Sequence, residues 1–292
     1  MPTIQENFMA DICEHPDDDT PRLIFADWLE EHGTTDAERE RAEFIRLQCG
    51  HGTTDTPENI AKIERRIQGL QRLYDRKWTK DLPQNRHLHY FFARGFVHAV
   101  HGTAGLIQSH MDRLFSCAPI DHVTISNPYF GHDYEENEEY QHQAHRPTDW
   151  LLSSPHLKQV ELLMVAGYEN LHLNILAKRA DDLRKLTRLS IEACLLNAQQ
   201  HLRDLISIGI PFPALVELDL ANNTIGVGNT SLEVNGVQVD TLALEQQAIE
   251  EFAERFRHIF PKVNIVEMHG NPLTDEQQQL LRQHVPGISF ED

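Results

Sequence analysis

The sequence predicts an α/β chain: a short, irregular array of parallel strands with helices along its outer side, preceded by an all-α region. Three observations predict it. A pattern of three apolar residues recurs beyond residue 119, stretches with apolar residues at helical spacing separate the recurrences, and the first 85 residues carry helical spacing alone. The boundaries read from these signals are a helical region over 1–85 and a repeat region over 86–292, the latter interrupted at 131–146 and 225–244.

The pattern is clearest from Leu215 to Asn223, Leu-Val-Glu-Leu-Asp-Leu-Ala-Asn-Asn, which has the form L-x-x-L-x-L-x-x-N. The same frame elsewhere gives Ile120, Val123, Ile125 and Pro128; Leu157, Val160, Leu162 and Val165; Leu186, Leu189, Ile191 and Cys194; and Val263, Val266, Met268 and Asn271. The middle apolar residues, at 123, 160, 189, 218 and 266, lie 37, 29, 29 and 48 apart. Two consecutive intervals of 29 fall at the upper end of the roughly 20–29 residues of a leucine-rich repeat. Alternate residues of a strand point to opposite faces, so each apolar triad shares one buried side. The asparagine turns the chain and hydrogen-bonds the backbone groups freed there.

In chain order, Ile4, Phe8 and Ile12 form one face of a first helix that stops before Pro16, because the residue before a proline disfavours the helical region. Asp17, Asp18, Asp19 and Thr20 then offer capping side chains, with Pro21 at the favoured first position of a helix running to Glu31 and ending at Gly33. A third helix is expected from Arg39 to Gln48 and a fourth, capped by Thr56-Pro57, from Glu58 to about Leu82.

The run from Pro16 to Gly33 (PDDDTPRLIFADWLEEHG), followed by Arg41-Ala-Glu-Phe-Ile-Arg-Leu-Gln-Cys49, resembles the bacterial repeat-companion domain. Arg94-Gly-Phe-Val97 and Phe115-Ser-Cys-Ala-Pro-Ile120 are similar to that family's junction into its repeats. The resemblance implies architecture, a short helical module ahead of ribonuclease-inhibitor-like leucine-rich repeats. It implies no catalytic residues.

His87 to His101 reads as extended chain with a turn at Ala93-Arg94-Gly95. Helical returns follow around Leu106–Phe115, Leu171–Leu176, Leu202–Ile206 and Ile249–Phe260, which makes parallel pairing the economical arrangement. Leu232 to Val239 alternates around Asn235-Gly236, a hairpin signal. Thr274 with Gln277 has the form of a capping box that opens a last helix.

Lys and Arg total 26 against 45 acids, a net charge of −19, which argues against a nucleic-acid backbone or an anionic membrane as partner. Cys13, Cys49, Cys117 and Cys194 form no C-x-x-C pair and read as reduced core thiols. The start of the chain has no basic stretch followed by an apolar core, and a cytoplasmic location is expected.

Function is expected on the residues between the apolar positions, which face the opposite, concave side. These columns are His122, Gln159, Arg188, Glu217 and Ile265; Thr124, Glu161, Ser190, Asp219 and Glu267; and Ser126, Leu163, Glu192, Ala221 and His269. Five of the fifteen are acidic and one is basic. The expected partner-binding residues are therefore Glu161, Arg188, Glu192, Glu217, Asp219, Glu267 and His269, and the expected partner is a protein with a basic patch. The alternative is a metal-binding protein or metal-dependent enzyme built on the inserted stretch His132-Asp133, Glu135, Glu136, Glu138, Glu139, His142 and His145. His87 with His89, and His98 with His101, are further compatible pairs. No G-x-S-x-G, H-E-x-x-H or phosphate loop occurs, so no catalytic or cofactor-binding residue is expected.

Overall fold

The computed structural model describes residues 3–50, 56–127, 146–168, 171–226, 232–234, 237–239 and 241–291. The chain is α/β and divides into two compact units, 1–100 with 110–121 and 101–109 with 122–292.

The first unit opens with α1 (Ile4–Glu14), α2 (Thr20–His32), α3 (Asp36–Cys49) and α4 (Pro57–Trp78). Thr3 with Glu6 and Thr35 with Glu38 form complete capping boxes on α1 and α3, and Thr56 caps α4. The acidic run before α2 works differently from expectation. Asp18 Oδ1 accepts the Thr20 N–H at 2.8 Å, while Asp19, at the cap position, makes no capping bond and instead receives Arg94 Nε at 2.6 Å. Pro21 is the second helical residue, not the first, and Gly33 ends α2 in an extended conformation.

Beyond the helices come β1 (His89–Ala93), β2 (Phe96–Gly102) and α5 (Ala104–Cys117). The two strands are neighbours, and both central residues of their turn have positive φ, 52° at Arg94 and 85° at Gly95. That pair of values defines the turn whose twist matches a hairpin. The compact unit therefore carries the hairpin with the helices, past the expected limit at residue 85, and is not all-α. The cause is Phe96, which packs into one cluster with Ile12, Phe25, Ala26, Leu29, Ala42 and Ile45. Ile4 and Leu73, at helical spacing but 59% and 71% exposed, contribute nothing to it.

The second unit is built on parallel strands β3 (His122–Ser126), β4 (Leu162–Ala166), β5 (Arg188–Glu192), β6 (Glu217–Asp219), β9 (Ile265–Glu267) and β10 (Ile288–Ser289), adjacent in that order. Between them run α6 (Arg146–Leu152), α7 (Asn174–Ala177), α8 (Arg203–Ser207), α9 (Thr241–Ile259) and α10 (Asp275–His284). An antiparallel pair, β7 (Leu232–Val234) and β8 (Val237–Val239), occupies the second predicted insertion, with Leu232 opposite Val239. The turn residues Asn235 and Gly236 lie outside the described residues. The expected box of Thr274 and Gln277 caps α10.

Register holds across the parallel strands: Val123 pairs with Leu163, Leu163 with Leu189, Leu189 with Leu218 and Leu218 with Val266. This corrects the second expected triad. Its members are Val160, Leu163 and Val165, all buried, in place of Leu157, Val160 and Leu162. The middle residues 123, 163, 189, 218 and 266 are then 40, 26, 29 and 48 apart. A sixth strand was not foreseen. Ile288 pairs with Val266, and Val285, Ile288 and Phe290 repeat the same spacing. Val285 is buried and Ile288 half-buried.

In four of the triads the residue three positions on closes the turn. Asn223, 4% exposed, donates from Nδ2 to Ile191 O, Leu220 O and Ala221 O at 2.7, 2.9 and 3.0 Å. Its Oδ1 accepts the N–H groups of Cys194 and Leu196 at 2.8 and 3.2 Å. Asn271 donates to Leu220 O at 2.7 Å, and Cys194 Sγ to Val165 O at 3.6 Å. At the same position in the corrected frame, Tyr168 donates its hydroxyl to Ser126 O at 3.2 Å. Each of these side chains reaches a carbonyl near the end of the preceding strand, which satisfies backbone groups that would otherwise be buried without partners.

Candidate functional site

With Val123, Ile125 and their register partners turned to the core, the opposite face presents three rows. The first runs His122, Leu162, Arg188, Glu217 and Ile265; the second Thr124, Met164, Ser190, Asp219 and Glu267; the third Ser126, Ala166 and Glu192. His269 lies in the turn that follows β9, its Nδ1 4.0 Å from Glu267.

Of the expected partner-binding residues, the strand register gathers Arg188, Glu192, Glu217, Asp219 and Glu267 on this face. Glu161 is not among them. It precedes β4, and its backbone carbonyl accepts the N–H groups of Thr187 and Arg188 at 2.9 and 3.0 Å. The place assigned to it next to Thr124 and Ser190 belongs to Met164, the place assigned to Gln159 belongs to Leu162, and Leu163 is in the core.

The charge on the face is uneven for reasons visible in its contacts. Arg188 meets Glu217 through two bonds of 2.8 Å, so this acid is neutralised by its neighbour on the adjacent strand. Asp219 accepts the Ser190 hydroxyl at 2.9 Å through one oxygen and the Ala221 N–H at 2.9 Å through the other. Glu192 accepts from the Asn222 side-chain amide at 2.9 Å. Glu267 lies 4.0 Å from the His269 ring. The three carboxylates Asp219, Glu192 and Glu267 are thus held by hydrogen bonds or a histidine and not by a lysine or arginine ion pair among the described residues. Beside them β4 supplies Leu162, Met164 and Ala166, each half-buried, and Ile265 is 42% exposed. Such a surface can receive cationic groups at its acidic end and an apolar side chain at β4. The β4 residues were missed because the frame there was misplaced; the signal that finds them is Tyr168, three positions after Val165.

The inserted stretch from His132 to His145 lies outside the described residues. His98 and His101 have separate partners: His98 Nδ1 lies 3.0 Å from Asp121 Oδ1, and His101 Nε2 lies 2.6 Å from Ser126 Oγ. His87 Nε2 accepts from Arg86 Nε at 2.8 Å.

Among the described residues no helix is long and apolar enough to cross a membrane. No protein family, curated protein or solved structure matches the chain.

Proposed function

We propose that the chain is a non-enzymatic interaction module: a leucine-rich-repeat array, preceded in the chain by a helical module of the repeat-companion kind, that binds a protein on its exposed sheet face. A repeat cannot hide its own apolar flank, so an array needs neighbours and a cap. The side chains of Cys194, Asn223 and Asn271, each bonded to the preceding strand, support the repeat reading. The observation that carries the binding reading is the juxtaposition of Asp219, Glu192 and Glu267, none ion-paired to lysine or arginine among the described residues, with the apolar row Leu162, Met164 and Ala166.

The partner is a protein whose contact patch combines lysine or arginine with an apolar residue. Four free cysteines, Cys13, Cys49, Cys117 and Cys194, suit a reducing compartment such as the cytoplasm. Affinity capture from native lysate tests the reading, with the intact chain compared with an Asp219→Lys/Glu267→Lys variant. The variant should lose the captured partner while keeping its circular dichroism spectrum, and capture by the intact chain should weaken steeply with salt. The same partner held equally well by both proteins would refute the assignment.

A further inference from the structure

A groove of about 870 Å³ runs between α1, α3, the end of α4 and the part of α5 that belongs to the first unit. Its apolar lining comes from Met9, Phe25, Leu29, Trp78 and Phe96. Five cations also line it, Arg41, Arg76, Lys77, Lys80 and Arg113, in a chain whose net charge is −19.

Four other arginines of the unit are paired, whereas Arg22, Arg65, Arg72 and Arg86, like the groove cations, have no carboxylate ion pair among the described residues, but these four do not line the groove. Arg39, Arg46, Arg66 and Arg94 are each paired with one or two carboxylates at 2.5–2.8 Å. None of the five groove cations has a carboxylate within 4.0 Å among the described residues. Two of the three acids that line the groove are already engaged: Glu6 receives the Thr3 N–H at 2.6 Å, and Glu38 receives the N–H groups of Thr34 and Thr35 at 2.9 and 3.0 Å.

Arg41 is the extreme case. Its Nη2 donates to Gly95 O at 3.0 Å and its Nη1 to Trp78 O at 3.4 Å, while its Nε is buried without an acceptor. The guanidinium lies 5.0 Å from the Phe96 ring centre and 5.3 Å from that of Trp78. Burial, with no opposing charge to offset it, pushes it down to about 10. A buried charge that has dipoles and ring faces but no counter-ion retains much of its desolvation cost. A ligand carboxylate arriving in the groove would recover part of it.

We propose that this groove binds an acidic peptide segment of a partner protein, one in which carboxylates alternate with aliphatic or aromatic side chains. The cations sit on α3, at the end of α4 and on α5, so a ligand with a single carboxylate leaves most of them unmatched. The apolar floor between them excludes a bare polyanion, which would bury no carbon surface there. An acidic amphipathic segment satisfies both.

The test uses the full chain and fluorescein-labelled 12-residue peptides of glutamate alternating with leucine and phenylalanine, followed by anisotropy. The glutamate peptide should bind, its all-glutamine counterpart at least about tenfold more weakly. The variant Lys77→Glu/Lys80→Glu, altered only at exposed side chains, should lose at least about tenfold in affinity with an unchanged circular dichroism spectrum. Asp219→Lys/Glu267→Lys should bind the peptide like the unaltered chain, which separates this site from the sheet face. Equal binding of the acidic and neutral peptides, undiminished binding by the lysine variant, or displacement by decanoate or polyphosphate at matched carboxylate or phosphate concentration would overturn the proposal.

Discussion

The side-chain oxygen of Asn223 accepts the backbone N–H of Cys194 at 2.8 Å, and the Cys194 thiol in turn donates to Val165 O at 3.6 Å. After β4, β5, β6 and β9 one residue thus fastens its own turn to the end of the strand before it. Replacing Asn223 with alanine strands the N–H groups of Cys194 and Leu196 in a site that is 4% exposed and takes one donor from each of three carbonyls, of which Leu220 O keeps Asn271 and Ala221 O keeps the Ala193 N–H. Each unsatisfied buried group costs about 1–3 kcal/mol, partly relieved by relaxation. Asn223→Ala should therefore destabilise the protein by about 3 kcal/mol or more, with a lower urea midpoint and an unchanged m-value. A loss smaller than about 1 kcal/mol would mean that the turn holds without the side chain.

His201 should make the protein acid-sensitive. The ring is 4% exposed, and its Nδ1 accepts the Asn197 N–H at 3.1 Å, a bond that only the neutral ring can make. Burial is the main cause that lowers it from 6.5 to about 4. Between those values the unfolded chain takes up a proton that the folded chain refuses, so stability falls as the pH drops from about 6.5 towards 4. The loss approaches about 3 kcal/mol at the acid end. Urea titrations at several pH values in that window should show a shallower slope for His201→Gln than for the unaltered chain. Parallel slopes would remove His201 as the cause.

Three thiols should resist alkylation in the folded state. Burial pushes Cys13 up to about 11 and both Cys49 and Cys194 up to about 12, against 9.0 for an ordinary cysteine here. Since the thiolate is the nucleophile, a brief iodoacetamide pulse at pH 8 should leave these three unmodified until the protein is unfolded. The same shifts imply that stability declines as the pH rises above about 9, because the unfolded chain then releases protons the folded one keeps. Mass spectrometry of the pulsed protein reads the first effect, and labelling of Cys194 at the rate of a free thiol would contradict it.

How much of this was legible in the sequence depended on how well each triad excluded a competing frame. Leu186-x-x-Leu189-x-Ile191 and Leu215-x-x-Leu218-x-Leu220 have polar residues at the alternate strand positions, Arg188 and Ser190 in one and Glu217 and Asp219 in the other, so only one frame buries three aliphatic groups. Between Leu157 and Val165 two frames fit, because Leu162 and Met164 are apolar although they face away from the core. Hydropathy alone cannot separate them, and the site inherited the error as Glu161. The strand at Ile288 is only two residues long and follows Pro286 and Gly287, so no strand periodicity marks it. Long-range contacts such as Arg94 to Asp19, 75 residues apart, leave no periodic trace at all.

The last prediction sets two glycines of the first unit against each other. Gly95 has a φ of +85° and lies directly on α3: a Cβ there would stand 2.8 Å from Ile45 Cα and 2.9 Å from Ile45 Cβ. Its N–H donates to Gln48 Oε1 at 2.7 Å and its carbonyl accepts Arg41 Nη2 at 3.0 Å, so the backbone cannot retreat without breaking both bonds. Gly69, inside α4, has nothing within 4 Å of where its Cβ would be. Gly95→Ala should therefore cost about 3 kcal/mol or more, from overpacking added to a left-handed backbone. Gly69→Ala should stabilise the protein by about 0.5–1 kcal/mol, since alanine is the better helix former. Thermal melts of the two variants should shift in opposite directions. If Gly95→Ala melted like the unaltered chain, the hairpin would not be seated on α3, and the reason for assigning β1 and β2 to the helical unit would fall with it.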